Sequence, residues 1–242
     1  SITRSSPTSQ ETNADSVTYD VVFNEGVSGV DTGDFALTTT GDADGTISNV
    51  GEAGDVDSST YTVTVGSVSG DGDLRLDLND NDTITNGNGV ALGGVGTSGG
   101  TGDGSYTSGE TYVLDNTGPT FSAGGTNSAS IDENTTGNAL NVQADDDAGS
   151  SYDTNVSYSL SGTDAGSFSI DSGTGEITLD SAKDFENPDD NNNDSAYELS
   201  VTATDDVGNS NTQTVTVNLN DVNEAPSLDT NSTVTVDEGA AG

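Results

Sequence analysis

Two stretches near the end of the chain, "YELSVTAT" (197–204) and "TQTVTVNL" (212–219), decide the fold class. Apolar and polar residues alternate along most of both, so every second side chain points to the same face. A period of two residues is typical of a β-strand that buries one face and exposes the other to water. The segment between them, "DDVGNSN" (205–211), is rich in Asp, Asn and Gly and indicates a turn.

The same alternation recurs along the rest of the chain. In the first half it appears in "SVTYDVVF" (16–23), "TYTVTV" (60–65) and "DLRLDL" (73–78), and a Gly-rich stretch (86–110) predicts a long loop. The second half contains seven strand candidates, near 128–134, 139–144, 155–160, 166–170, 175–179, 196–205 and 212–219. Because helical periodicity is missing, the sequence predicts an all-β chain of tandem antiparallel β-sandwiches, elongated in shape.

Composition excludes several classes of partner and chemistry. The 242 residues include 42 acids but three basic residues, which gives a net charge of −39. Such a chain repels nucleic acid and anionic lipid, so we expect neither nucleic-acid binding nor direct membrane insertion. The absence of Cys and His from the sequence removes disulfides, thiol and imidazole chemistry and soft-metal sites.

Two similar linkers divide the chain. "LDNTGPTF" (114–121) and "LNDVNEAPSL" (219–228) each join acidic or amide residues to a proline, which suits a short stiff connection. The segments that follow them, "NSASIDENTTG" and "NSTVTVDEGAAG", are alike. We therefore expect one domain over 1–117, a second over 118–224, and the start of a further repeat over 225–242, as in a tandem array.

Three acidic clusters fall at predicted strand ends in the second half: "ADDDAG" (144–149), "KDFENPDD" (183–190) and "LNDVNEAP" (219–226). With these motifs in this order, residues 119–226 resemble the cadherin repeat, specifically the cadherin-like repeats of large bacterial surface proteins. That family carries an early Glu, an Asp-x-Asp before a Gly, a Leu-Asp-x-Glu type motif, an Ala-x-Asp, and an Asp-x-Asn-Asp-Asn linker that ends in Ala-Pro.

The resemblance places metal ligands at matching positions of this chain. They are Glu133 for the early Glu, Asp145 and Asp147 for the Asp-x-Asp, Asp184 and Glu186 for the third motif, Asp205 for the fourth, and Asp221, Asn223 and Glu224 for the linker. Ala144 sits one residue closer to this Asp-x-Asp than is usual, and Lys183 replaces a Leu. In the linker, Glu replaces an Asp and the final Asn is missing.

The resemblance implies that Ca²⁺ is bound where neighbouring repeats meet. Glu133, Asp184, Glu186 and the 221–224 linker would face the following repeat. Asp145, Asp147 and Asp205 would face the preceding domain, whose linker contributes Asp115 and Asn116. Clustered carboxylates repel one another, and a divalent cation reverses that cost. The alternative is a solvated acidic surface, as in a salt-adapted protein without metal.

Two further acidic loops and the first domain carry weaker signals. "DLNDND" (77–82) and the series Asp190, Asn192 and Asp194 are possible loop sites, although Ser195 and Val201 stand where an EF-hand needs Gly and Glu. The first domain resembles, more loosely, a bacterial Ig-like repeat, through "SQETNADSVTYDVVFNEGVSGVDTGDF" and "SGETYVLDNTGPT". That resemblance implies a sandwich and names no binding residue.

These observations favour a calcium-rigidified extracellular segment of a large bacterial adhesin, acting at the cell surface as a spacer or an adhesive module. Its expected partners are neighbouring repeats in the same chain, and beyond them a cell-surface glycan or another adhesin copy. The alternative is a carbohydrate-binding module that uses exposed aromatics, for which Tyr106, Tyr152 and Phe185 are candidates. Acids this common carry no catalytic information, so we do not expect an enzyme.

Overall fold

The computed structural model describes residues 1–52, 58–94, 104–146 and 155–225. Over these residues the regular secondary structure is almost entirely β-strand, arranged as two successive sandwiches with a separate apolar core each. This confirms the predicted fold class. Two single turns of 3₁₀-helix, Thr32–Asp34 and Ala165–Ser167, are the helical elements of the described chain, and neither is long or apolar enough to span a membrane.

The first sandwich consists of two four-stranded sheets and one short pair of strands. Its strands are β1 (Ile2–Ser6), β2 (Glu11–Thr12), β3 (Ser16–Val22), β4 (Val27–Ser28), β5 (Phe35–Thr39), β6 (Asp44–Glu52), β7 (Thr60–Ser69), β8 (Gly72–Leu78), β9 (Thr85–Asn86) and β10 (Thr111–Leu114). The sheet orders are β1-β3-β7-β6 and β2-β10-β8-β5, with β4 paired to β9. The inward residues of the alternating runs fill the core, and Tyr19 packs edge-on against Tyr112.

The second sandwich is built from nine strands. They are β11 (Thr120–Phe121), β12 (Thr126–Asp132), β13 (Gly137–Asn141), β14 (Ala144–Asp145), β15 (Ser157–Ser161), β16 (Phe168–Ile170), β17 (Glu176–Leu179), β18 (Ala196–Thr204) and β19 (Ser210–Asn220). The sheet orders are β12-β19-β18-β15 and β13-β17-β16, with β11 paired to β14. The two stretches that decide the fold class form β18 and β19, which pair antiparallel with Tyr197 opposite Val217.

Each sandwich contains one parallel pair within otherwise antiparallel sheets. β2 runs parallel to β10 in the first sandwich, and β12 runs parallel to β19 in the second. In the second sandwich β12 lies near the start of the domain and β19 ends it, so their common direction leads the chain from one end of the sandwich to the other. The alternation of residues carried no information on this direction.

The Gly-rich stretch 86–110 contains more pairing than the predicted loop. Thr85 bridges to Ala91, and Leu78 bridges to Tyr106, so both flanks of the stretch are tied to the first sandwich. Its middle, residues 95–103, and the expected start of a further repeat after residue 225 lie outside the described residues.

Candidate metal centres

The topology of the second sandwich carries its acidic motifs to two opposite ends. β18 ends at Thr204 and β19 begins at Ser210, so the turn with Asp205 lies at the end near the first sandwich. β12 ends at Asp132 and the parallel β19 ends at Asn220, so Glu133 and the 221–224 linker lie at the far end. Each end contains one cluster of carboxylates with the geometry of a metal site.

The interdomain cluster consists of Asp115, Asp146 and Asp205. Each offers a carboxylate oxygen, and these three oxygens lie within 4.8 Å of one another. Asp115 is fully buried, Asp205 is 5 % exposed and Asp146 is 9 % exposed. Asp115 follows the last strand of the first sandwich, whereas the other two belong to the second. The cluster therefore spans the linker, and its close, buried like charges favour a cation.

The hydrogen bonds of Asp205 leave one of its oxygens for a further partner. Oδ1 accepts from the backbone N–H groups of Gly208 at 2.6 Å and Asn209 at 2.8 Å, which fixes the carboxylate in the turn. Oδ2 is buried and has no hydrogen-bond partner among the described residues. A buried carboxylate oxygen without a donor is costly, and the neighbouring carboxylates of the cluster can only repel it. A bound cation would supply the missing partner.

The distal cluster consists of Glu133, Asp184 and Glu186, whose oxygens also lie within 4.8 Å of one another. Glu133 is 2 % exposed, while the other two are exposed. Its carboxylate is held from both sides: Oε2 accepts from the N–H of Phe185 and Oε1 from the N–H of Val222, both at 2.8 Å. Glu133 thereby draws the 184–186 motif and the 221–224 linker to the same place.

The electrostatics of the distal cluster show which groups face one another. Hydrogen bonds from the backbone N–H groups of Phe185 and Val222 lower the pKa of Glu133. A hydrogen bond from its own backbone N–H lowers the pKa of Glu186, but desolvation and the charges of Glu133, Asp221 and Glu224 raise it above its ordinary value. The raised pKa records crowding of like charges, which a cation would relieve.

The predicted ligands of the 221–224 linker are not members of the distal cluster itself. Asp221, Asn223 and Glu224 are exposed. Asp221 and Glu224 act on Glu186 through their charge, and Glu224 also accepts a hydrogen bond from the side chain of Asn134. Asp221 and Glu224 thus lie near Glu186, on the side where the chain leaves the sandwich.

At the interdomain end the structure places in the cluster an Asp that the motif did not indicate. Asp145 is exposed, pairs with Thr120 in the β11–β14 ladder and is not a member of the cluster. Asp146 points inwards instead, and Asp147 lies outside the described residues. The spacing from Ala144 was the signal for Asp146, because an Ala-x-Asp counted from Ala144 ends there. Counting back from Gly149 leads to Asp145 and Asp147.

Asn116 is also turned away from the interdomain cluster. Its backbone N–H donates to Asp71 Oδ1 at 2.6 Å and its side chain donates to the carbonyl of Gly70 at 2.7 Å. Both partners belong to the turn between β7 and β8 in the first sandwich. Asn116 therefore fastens the linker to the first sandwich.

The two other acidic loops use their carboxylates for local structure. Asp190 accepts from the N–H groups of Asn192 and Asp194 through Oδ1 and from that of Ser195 through Oδ2. In the 77–82 loop, Asp77 pairs with the guanidinium of Arg75, and Asp80 accepts from two backbone N–H groups. Neither loop forms a cluster with metal-site geometry within the described part of the chain.

The donor set of both clusters fits a hard cation. Carboxylates, with backbone carbonyls and amides nearby, are the ligands that Ca²⁺ prefers, and they suit zinc or copper poorly when His and Cys are missing from the sequence. The fold and these clusters thus define a β-sandwich repeat with a candidate calcium site at each end.

Comparison with known proteins agrees with that class. The family model of the cadherin domain matches residues 127–220, which form most of the second sandwich, so this part of the chain is similar to a cadherin repeat. The first sandwich lies outside the match. Among curated proteins, none matches the chain.

Several solved cadherin structures are similar to the chain. Protocadherin gamma B2 extracellular cadherin domains 3–6 are 26 % identical over 44 % of this chain and 23 % of that one, with a TM-score of 0.36. Human protocadherin-24 EC1-2 is 24 % identical over 43 % and 44 %, with a TM-score of 0.36. Drosophila N-cadherin EC1-3 is 18 % identical over 91 % and 68 %, with a TM-score of 0.38. The chain thus spans less than half the length of the first two proteins.

Proposed function

We propose that this chain is a calcium-binding, calcium-stiffened extracellular segment of a large adhesin, and that it acts in cell adhesion as a spacer or an adhesive module. One observation carries the proposal: buried carboxylates from both sides of a domain linker converge within 4.8 Å, and the Oδ2 atom of Asp205 has no other partner among the described residues. A site divided between two domains is suited to fixing their relative orientation.

The residues of this chain prepare the interdomain site before a cation arrives. Gly208 and Asn209 hold the carboxylate of Asp205, and the N–H of Asp115 donates to the carbonyl of Thr12 at 3.1 Å. Bound Ca²⁺ would supply the positive charge that lets Asp115, Asp146 and Asp205 lie together. Without it, their repulsion opposes the closed linker and favours a hinge that samples several angles.

The distal cluster has the same role towards a following domain. Glu133, Asp184 and Glu186 lie where the chain leaves the second sandwich, beside the exposed linker residues Asp221 and Glu224. In a tandem array they would hold the cation of the next junction, with Asn223 as a further oxygen donor. The partners of this chain are therefore first of all its neighbouring repeats.

The proposal also covers where the chain is located and what the array does there. Cadherin domains are extracellular repeats, and we assign the chain to a bacterial cell surface, with the first sandwich as a bacterial Ig-like repeat. Large adhesins use such arrays to carry a binding domain away from the cell, and adhesion to another copy is a further role for the same surface. The geometry of both clusters serves metal binding and suggests no catalytic constellation.

The described aromatics do not favour the glycan-binding alternative. Tyr106 and Phe185 are half-buried and pack against the two cores, and the Tyr106 hydroxyl donates to the carbonyl of Ser108. Tyr152, the third candidate, lies outside the described residues.

Calorimetric titration with Ca²⁺ tests the proposal directly. We expect binding in the range of about 0.1–1 mM that is typical of extracellular modules. At a calcium concentration ten times the Kd, each occupied site should stabilise the fold by about 1.4 kcal/mol. Two results together would refute calcium binding: a melting curve that EDTA leaves unchanged, and no heat of binding up to about 10 mM calcium, ten times the upper limit of that range.

Small-angle X-ray scattering tests the stiffening separately. With calcium the scattering profile should fit a narrow distribution of interdomain angles. With EDTA it should fit a broader ensemble that includes more bent arrangements. If the protein binds calcium but the two profiles are identical, the stiffening is refuted while the calcium binding stands.

A further inference from the structure

Asn209 contacts three parts of the molecule at once. Its backbone N–H donates to Asp205 Oδ1 at 2.8 Å, and its side-chain Nδ2 donates to the carbonyl of Asp115 at 2.9 Å. Its Oδ1 accepts from Asn13 Nδ2 at 3.1 Å. Asn209 is half-buried in the turn between β18 and β19. A single side chain thus links the interdomain cluster, the linker and the first sandwich.

Asn13 contacts Asn209 but is not itself part of the interdomain cluster. It is exposed and follows β2 in the first sandwich, and its hydrogen bond to Asn209 crosses to the second sandwich. Among the described residues it donates to no carboxylate of the interdomain cluster. Its contribution to that cluster can act only through Asn209 and the relative position of the two domains.

The surroundings of Asn13 show that the two sandwiches are held close beside the linker. A cleft of about 490 Å³ separates segment 9–13 of the first sandwich from Asp206 and Val207 of the second. Glu11 and Asp206 both line it, so each side of the cleft carries an acidic residue. A neutral amide pair, Asn13 and Asn209, crosses the gap beside them.

We infer that Asn13 and Asn209 form an interdomain latch that is thermodynamically coupled to cation binding at the interdomain cluster. Both the latch and the cation favour the same closed orientation, since both connect the first sandwich or its linker to the turn of Asp205. Coupling of this kind is reciprocal: whatever closes the latch raises cation affinity, and whatever opens it lowers that affinity. Asn209 is the positioning residue and Asn13 its remote partner. The inference rests on the proposed calcium binding.

The test is a calcium titration of the whole chain followed by NMR, in wild type and Asn13→Ala. The amides of Gly208 and Asn209 report the interdomain cluster, because they donate to Asp205. The amides of Phe185 and Val222 report the distal cluster, because they donate to Glu133. Asn13→Ala should raise the interdomain Kd roughly three- to tenfold, the effect expected for one lost hydrogen bond, and leave the distal Kd unchanged.

Asn218→Ala is the matched control. Asn218 is an exposed amide on β19 whose side chain donates to the carbonyl of Ala129, within the second sandwich. It should leave both Kd values unchanged. Equal interdomain Kd values in wild type and Asn13→Ala would overturn the latch while calcium binding stands. Absence of any calcium-dependent shift in the wild type would instead overturn the proposed function, and the latch with it.

Discussion

A carboxylate oxygen of Asp115 lies within 4.8 Å of one of Asp205, although the two residues stand on opposite sides of the linker between the sandwiches. Both side chains are buried, at 0 % and 5 % exposure. Two buried like charges at this distance destabilise the fold unless a cation lies between them. The same pair should therefore have opposite effects on stability with and without calcium.

Asp205→Asn should stabilise the protein relative to wild type in EDTA and lose most of that advantage in calcium. In EDTA the substitution removes a buried charge while its carbonyl still accepts from Gly208 and Asn209, so we expect the free energy of unfolding to rise by about 1–2 kcal/mol. In millimolar calcium the variant should lose the calcium-dependent increase of the wild type. Melting curves in both buffers provide the measurement, and a variant destabilised equally in both would mean that Asp205 is structural only.

Asp146→Asn and Asp145→Asn form a pair of adjacent, chemically identical substitutions. Asp146 belongs to the interdomain cluster, whereas Asp145 is exposed and stands outside it. We expect Asp146→Asn to weaken calcium binding at the interdomain cluster at least tenfold and Asp145→Asn to change it less than twofold, since a rim charge is screened. Calorimetry would contradict this assignment if Asp145→Asn had the larger effect.

Acidification in EDTA should lower the free energy of unfolding, in part because Glu133 becomes protonated. The N–H groups of Phe185 and Val222 hold the pKa of Glu133 below its ordinary value of 4.5. A carboxyl with a lowered folded-state pKa stabilises the fold above its unfolded value, and that contribution is lost as the pH falls through the lowered value. Glu133→Gln should therefore flatten the decline of stability below about pH 4.5 relative to wild type.

Glu186→Gln is the control with the opposite sign. The pKa of Glu186 is raised in the folded state, so its charged form opposes folding at neutral pH. Removing that charge should stabilise the protein in EDTA at pH 7, and the gain should vanish on acidification. Urea unfolding across pH 3–7, a range of about four units around the carboxyl pKa values, measures both variants. Parallel curves for the two variants would contradict the opposite pKa shifts.

Asp190→Ala should destabilise the protein independently of metal. Asp190 is 5 % exposed and accepts from three backbone N–H groups of its own loop, which the substitution leaves without an acceptor. We expect a loss of about 1–3 kcal/mol that is equal in calcium and in EDTA. A loss seen only in calcium would show that the loop binds a cation after all.

The sequence predicted the strands well because the signal was local. The alternation in β18 and β19 corresponds directly to their buried residues Tyr197, Leu199, Val201, Val215 and Val217. The same local signal does not choose between two registers at "ADDDAG", because three consecutive aspartates fit both. β14, which contains Asp145, pairs with β11, so its position depends on a contact between distant segments.

Contacts between distant segments also account for what no motif indicated. The N–H groups that hold Glu133 come from Phe185 and Val222, and their positions depend on how the chain returns to this end of the sandwich. The bond between Asn13 and Asn209 depends on the orientation of two domains. An amide in a turn looks the same in a sequence whether it is solvated or bridges a cleft.

The parallel pairing of β12 with β19 has a mechanical consequence. Seven residue pairs, from Thr126 with Thr214 to Asp132 with Asn220, join a strand near the start of the second sandwich to the strand that ends it. Tension along the chain pulls these two strands in opposite directions along their length, so their hydrogen bonds are loaded in shear and resist together. Under tension, a repeat built in this way transmits pulling force from one neighbour to the next through its own sheet.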